Sequence, residues 1–261
     1  KFLPAFLCKA TNYVIRYNIP MDTRTEQNLA ASMTSDTPDI IPFLPYLLQD
    51  FCELGSSPDD MVGLLSEHVA ASGRNTALDL GCGKGVIAVA LARRLGMRVK
   101  GIDAIPEFVE EAREAAAREG VAHLCAFEVG DITVEAPLES EYDCAVYGAV
   151  GPALGAPMDM LATMRKTLRT GGYLLLDDAY AEEGDPNASY PTRSSWNEMF
   201  DKAGFETIAS LSSTDTAADY DEEIDRIARR VAELQASHPE HVELFERYLD
   251  AQKGEYDELL H

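Results

Sequence analysis

The sequence predicts an α/β fold, a mostly parallel sheet with helices on both faces, and two observations carry that reading. From Thr76 onward, apolar runs of strand length alternate with helical patterns, the signature of β-α units whose strands pair in parallel. A turn with three glycines in five positions, Gly81 to Gly85, then joins the first such run directly to a helix.

The elements follow in order. "NYVIRYNI" (12–19) alternates partly and reads as a strand, and residues 21–39, rich in Ser, Thr and Asp, read as a linker or a poorly anchored helix. "PFLPYLLQDFCEL" from Pro42 is an apolar helix. The next helix has Ser57 as N-cap, Pro58 in its first turn, and Asp59 and Asp60 complementing its dipole. "TALDL" (76–80) reads as a buried strand and Val86 to Leu95 as a helix. "RVKGID" (98–103) is the second strand, followed by a helix bounded by Pro106 and Gly120. "LCAFEV" (124–129), "YDCAVYG" (142–148), "YLLLDD" (173–178) and "GFETIASLS" (204–212) are further strands, with helical patterns around 157–169 and 195–203. Two acidic amphipathic helices, 219–236 and 240–258, are separated by Pro239. Ile224, Ile227, Val231 and Leu234 stripe the first; Val242, Phe245, Leu249 and Tyr256 stripe the second. The chain therefore divides into an N-terminal extension or linker (1–41), a core with lid helices (42–212) and a C-terminal helical hairpin (213–261).

Composition narrows the function. With 45 acidic against 22 basic residues and a net charge of −23, the surface repels phosphate backbones and anionic headgroups, which argues against nucleic-acid and membrane partners. No apolar run reaches the roughly 18 to 20 residues of a membrane span, and residues 1–7 do not have the form of a secretory signal. The five cysteines are scattered without a Cys-x-x-Cys pair, which favours reduced thiols in a cytoplasmic protein over disulfides or a zinc site. Cys82 reads as a small residue tolerated in a tight turn.

Three ligands compete for the glycine turn. A P-loop needs Ser or Thr after its Gly-Lys, whereas Lys84 and Gly85 are followed by Val86 and Ile87. The dinucleotide fingerprint needs a small residue where Val86 stands, which weakens it. What remains is G-x-G-x-G preceded by an acid in the strand, here Asp79 in "LDLGCGKG". With "VKGIDAIPEFVEEA", "FEVGDI", "YDCAVYGAV" and "LRTGGYLLLDD" following in order, residues 40–212 resemble the class I S-adenosylmethionine-dependent methyltransferases of small-molecule type. The resemblance implies a Rossmann-like, doubly wound sheet. It implies that Gly81, Gly83 and Gly85 approach the amino-acid end of the cofactor, a Cβ there colliding with the ligand, and that Asp79 supports its ammonium group. Asp103 would hold the ribose hydroxyls, Ala104 and Ile105 would flank the adenine, Asp131 would take the adenine amino group and Ile132 the ring. Tyr147 and Gly148 would face the methyl group.

The implied activity is in-line methyl transfer to a small-molecule acceptor, with S-adenosylhomocysteine as product and no metal. Tyr147, Asp178 and Tyr180 are the candidate catalytic groups near the strand ends, with Tyr190 and Trp196 beyond them. Tyr46, Gln49 and Asp50, on a helix resembling the substrate-covering helices of that family, would reach the methionine end. A non-catalytic cofactor-binding sensor or partner subunit, and an aminopropyltransferase on the same fold, are the alternatives; a nicotinamide dehydrogenase ranks third. The family's seventh, antiparallel strand has no strand-like run after residue 212: either the chain is truncated, or "NYVIRYNI" (12–19) supplies a strand, or the edge stays open, and an open edge would suit a homodimer.

Overall fold

A computed structural model describes residues 23–184 and 189–260. In chain order they form α1 (Thr23–Ser32), a 3-10 turn (Pro38–Phe43), α2 (Leu44–Leu47), α3 (Pro58–Ser66), β1 (Thr76–Leu80), α4 (Val86–Leu95), β2 (Arg98–Asp103), α5 (Pro106–Arg118), β3 (Cys125–Val129), α6 (Ile132–Glu135), β4 (Tyr142–Gly148), α7 (Pro157–Thr167), β5 (Leu168–Asp177), α8 (Arg193–Ala203), α9 (Ala217–Ser237) and α10 (Val242–Leu259). The strands make one sheet in the order β3-β2-β1-β4-β5, every pairing parallel, with Asp79 opposite Gly101 on one side and Val146 on the other.

The pleat explains why these runs are apolar throughout. Side chains alternate between faces: Ala77, Cys144 and Val146 pack under α3, α4 and α5, while Leu78, Leu80, Ala145 and Tyr147 pack against α7 and Trp196 of α8. Both faces are covered, so the doubly wound expectation holds. Ser57 caps α3 by accepting from the Asp60 N–H at 3.2 Å, as its sequence signature predicts.

Three expectations meet a different outcome. The run at 204–212 forms no strand. Its large apolar residues, Phe205, Ile208 and Leu211, are spaced by three and so give no single apolar face at period two, and Ile208 and Leu211 are 54% and 59% exposed. Residues 23–32 are an anchored helix rather than a linker: Ala30 and Thr25 are buried, and the Thr25 hydroxyl donates to Asp131 Oδ2 at 2.6 Å. Tyr46, Gln49 and Asp50 turn away from the glycine turn. Tyr46 donates to Glu233, the Gln49 amide to the Tyr46 carbonyl, and Asp50 is paired with Arg229 and Arg230. The strand expected at 12–19 lies outside the described residues.

A third apolar cluster joins Leu44, Leu47 and Phe51 to Ile105 and Phe108 beyond β2, and to Ile227, Val231, Leu234, Phe245 and Tyr248 of α9 and α10. The stripe on α10 therefore runs through Leu244 and Tyr248 as well as Phe245. Around it, Arg230 grips Asp50 with two 2.7 Å bonds, and these hold the Asp50 carboxyl down at about 2. A carboxyl lowered in the folded state contributes stability above its unfolded value near 4 and loses it as pH falls through about 2. Asp50→Ala is accordingly expected to cost about 1–3 kcal/mol at neutral pH, with the difference from wild type shrinking in melts at acid pH.

Candidate functional site

β1 ends at Leu80 and the chain turns through Gly81 and Gly83 to Gly85, the N-cap of α4, all three with positive φ. A Cβ on Gly83 would stand 3.2 Å from Leu54, which reaches over from the segment between α2 and α3. A Cβ on Gly85 would stand 2.6 Å from Ala112 Cβ and 3.0 Å from the Phe127 ring. The need for glycine at Gly85 thus comes from close packing of α5 and β3 on the turn, not from a ligand. Gly81 instead faces Val150 beyond β4.

Two carboxylates stand at the strand ends, as expected. Asp103 closes β2 and is 5% exposed. Its Oδ2 accepts the Gly83 N–H at 2.8 Å and its Oδ1 the Ile105 N–H at 2.9 Å, with the Ala104 amide also favouring the charge. Burial outweighs these bonds and raises its pKa from the ordinary carboxylate value. The three N–H donors do not use up the lone pairs of the two oxygens, which leaves room for a hydroxyl donor. Asp79, 3% exposed, is pushed up to about 7, first by burial and then by the Asp103 charge, against the Ala88 amide at the α4 N-terminus. Its Oδ2 has no hydrogen-bond partner.

That oxygen opens on a cavity of about 30 Å³ lined by Gly81, Gly83, Gly148, Leu54 and Ser56 among others. Ser56 Oγ, buried on the same cavity, makes no well-formed hydrogen bond and lies close enough to the Asp177 carboxyl to favour its charge. Buried unpartnered polar atoms are rare and costly, so a cavity lined by one acceptor and one hydroxyl is suited to a polar, cationic group. The donor set fits the ammonium end of S-adenosylmethionine: a buried acid to receive it, a side-chain-poor turn beside it and a second acid at the next strand. At about 30 Å³ the space takes roughly one water, so the cofactor requires Leu54 and its segment to shift outward. Lys84 fixes the base of that segment. The ammonium, 4% exposed, donates to the Leu48 carbonyl at 3.0 Å, pairs with Glu111 at 3.0 Å and lies 5.5 Å from the Phe108 ring centre.

The remaining sequence candidates separate. Asp131 caps α6 through the Thr133 N–H and uses its other oxygen on Thr25. Ile132 is buried in the core beside Leu80 and Ile102. Tyr147 is 1% exposed on the face of the sheet opposite Asp79; its hydroxyl donates to the Gly151 carbonyl at 2.8 Å and accepts from the Leu154 N–H. The pleat thus presents Gly148, not Tyr147, to the cavity. Tyr180 lies at the surface with Arg193 4.5 Å over its ring, and Trp196 is tied to the Ala179 carbonyl. Asp178 follows the last residue of β5, accepts from the Ala179 N–H and is not among the residues lining the cavity; its charge acts on the Tyr147 hydroxyl. Ser56, Leu54 and Thr25 carry no sequence motif, and Lys84 lies within the glycine motif without a role assigned by it; each contributes through contacts distant in the chain.

A methyltransferase-domain family model matches residues 72–250. The chain belongs to that family. A ribosomal protein L11 methyltransferase of Dechloromonas aromatica is 37% identical over 111 residues, which make up 42% of this chain and 34% of that protein. The methyltransferase fold is shared with an S-adenosylmethionine-dependent methyltransferase of Geobacter sulfurreducens solved with S-adenosylhomocysteine (TM-score 0.67, 18% identity, 82% of this chain and 90% of that one). It is shared equally with the 4+2 cyclase SpnF (TM-score 0.68, 19% identity, 94% and 95%). The chain thus spans about a third of the curated methyltransferase it matches and nearly all of the similar folds.

Proposed function

We propose that the protein transfers the methyl group of S-adenosylmethionine to a small-molecule acceptor. The observation that carries this reading is the buried, unpartnered Asp79 Oδ2 beside the Gly81–Gly85 turn, one strand away from Asp103. Asp79 holds the ammonium, Asp103 the ribose hydroxyls and the turn backbone the rest of the amino-acid end. The bound sulfonium supplies an electrophilic methyl carbon and a neutral thioether leaving group. What the chain adds is position and dryness: a near-attack arrangement supplies much of the acceleration in a displacement, and Leu54, Ser56 and the α9–α10 hairpin keep water from the strand ends.

A small acceptor is favoured because α1, the segment from α2 to α3, and the hairpin crowd the strand ends, and because the −23 charge opposes nucleic acid. A cytoplasmic location accords with Cys82, Cys125 and Cys144 being free thiols. The outer edge of β5 carries no strand among the described residues, and a homodimer through it is part of this reading. Sedimentation showing only monomer at high concentration would remove the dimer.

Calorimetry tests the central claim. S-adenosylmethionine and S-adenosylhomocysteine are expected to bind one per chain with micromolar affinity, and NAD not at all. Binding of NAD in preference to either would overturn the reading.

A further inference from the structure

Resting on that methyltransferase reading, we infer that α1 is a strap that competes with the nucleoside end of the cofactor. The Thr25 hydroxyl holds the Asp131 carboxylate at the place where the cofactor's base arrives, and hydroxyl and base exchange there on binding. Asp79 lies near the end of β1 and Asp103 ends β2; Asp131 stands two residues beyond Val129, the residue of β3 that pairs with Asp103. Adjacent strands lie about 4.8 Å apart, so the three acids form a row along the rim of the sheet. An amino-acid end bound at Asp79 and a ribose bound at Asp103 direct the base to Asp131.

α1 covers this row. Near its first turn, Asp131 Oδ2 accepts the Thr25 hydroxyl at 2.6 Å, while Oδ1 accepts the Thr133 N–H at 2.8 Å. Its last residue, Ser32, meets the loop after β4, with its Cα 3.8 Å from where a Cβ on Gly151 would be. At about 1.5 Å per residue the helix is about 15 Å long. That length matches the three strand spacings, about 4.8 Å each, between β3 and β4. A helix with its ends beyond β3 and β4 crosses the ends of β2 and β1. The cavity beside Asp79 reaches neither Asp103 nor Asp131, so the ground a nucleoside needs is covered.

The two ends of α1 are held by different chemistry. At the C-terminal end Leu29 and Met33 pack on the apolar cluster shared with α9 and α10. The Met33 carbonyl accepts from Gln252 at 3.2 Å, the Thr34 hydroxyl bonds Glu255, and Asp36 pairs with Arg247 at 3.3 Å. The buried residues of α1 are Ala30, toward that end, and Thr25, whose hydroxyl is on Asp131. A polar ligand offers no substitute for an apolar anchor, whereas an amino group on a base replaces a hydroxyl donor to a carboxylate one for one. The strap therefore releases at Thr25 and pivots about Met33. No polar atom is stranded by the exchange: Asp131 keeps a donor on each oxygen, and the freed hydroxyl passes to water.

A closed strap lowers the apparent affinity by the fraction of molecules in which it is open. Thr25→Val keeps the branched shape and removes the donor, while Thr25→Ser keeps the donor. S-adenosylhomocysteine is expected to bind Thr25→Val about tenfold more tightly than wild type, the factor of one such bond. The gain should lie in faster association, and Thr25→Ser should bind as wild type does. In the wild-type chain, trypsin should cleave after the exposed Arg24 faster once S-adenosylhomocysteine saturates the protein, the fragments being identified by mass spectrometry.

Unchanged affinity in Thr25→Val overturns the proposal and makes the Thr25–Asp131 bond a fold contact only. Weakened affinity also overturns it and makes the bond part of the bound state. Equal or slower cleavage after Arg24 on binding overturns it as well, and that measurement needs no variant to fold. Failure of S-adenosylhomocysteine to bind any of the three proteins would instead overturn the methyltransferase reading, and the strap with it.

Discussion

Asp79→Asn is expected to weaken S-adenosylmethionine binding about 100-fold, since removing one member of a buried charge pair costs about 2–5 kcal/mol, while making the cofactor-free protein more stable at pH 8. The two effects have one cause. The Asp79 carboxyl is buried beside Asp103 and titrates at about 7 instead of near 4. The folded chain therefore binds a proton more tightly than the unfolded one. This group favours the fold at low pH, loses that contribution as pH rises between about 4 and 7, and above 7 leaves a buried charge costing on the order of 4 kcal/mol. Asparagine removes that charge, so its advantage in melting temperature should be present at pH 8 and vanish near pH 4. The amide has no partner for its own N–H groups, which makes the gain smaller than the full cost. Wild-type affinity for the cofactor should fall progressively below pH 7, because an ammonium ligand needs the ionised carboxylate, and the variant should show no such slope. A melting difference that is the same at pH 5 and pH 8 would show that Asp79 is not a stored charge.

The floor of this site was legible in the chain and its cover was not. Asp79 and Asp103 end adjacent apolar runs, and parallel strands bring such ends together whatever the rest of the chain does. Period two also separated Tyr147 from Gly148, although motif matching alone assigned both to the methyl side; the pleat puts the phenol in the core. At Gly85 the motif pointed to a ligand, but the demand for glycine comes from Ala112 and Phe127, residues that only the folded sheet brings near. The sixth strand failed for a local reason, apolar residues at 205, 208 and 211 being out of step with a strand. Leu54, Ser56 and Thr25 carry no periodicity that marks their contacts, and Thr25 meets Asp131 across 106 positions of sequence.

Lys84 is where floor and cover are joined, and Lys84→Met should release them. Its ammonium reaches the Leu48 carbonyl across 36 positions and pairs with Glu111 on α5. Methionine keeps the length and apolar stem but cannot donate, so the Leu48 carbonyl loses this donor and Glu111 its cation. A buried bond to a charged group contributes roughly 1.5–3 kcal/mol, and Glu111, 39% exposed, adds less. The expected loss in denaturant unfolding is about 3 kcal/mol. A purely structural lysine would stop there. If Lys84 anchors the cover, the variant should also be cleaved faster by protease between residues 48 and 56, and cofactor should dissociate from it faster than from wild type at temperatures where both are fully folded. Equal cleavage and equal dissociation rates, despite the lost stability, would make Lys84 a core contact only. The distinction matters for Leu54, whose side chain lies on Gly83. With its base at Leu48 fixed by Lys84, outward displacement of the segment would hinge there, letting Leu54 leave the glycine turn and return over bound cofactor. Without that anchor, the same displacement would carry α2 away from α9 and strain the Asp50–Arg230 pair.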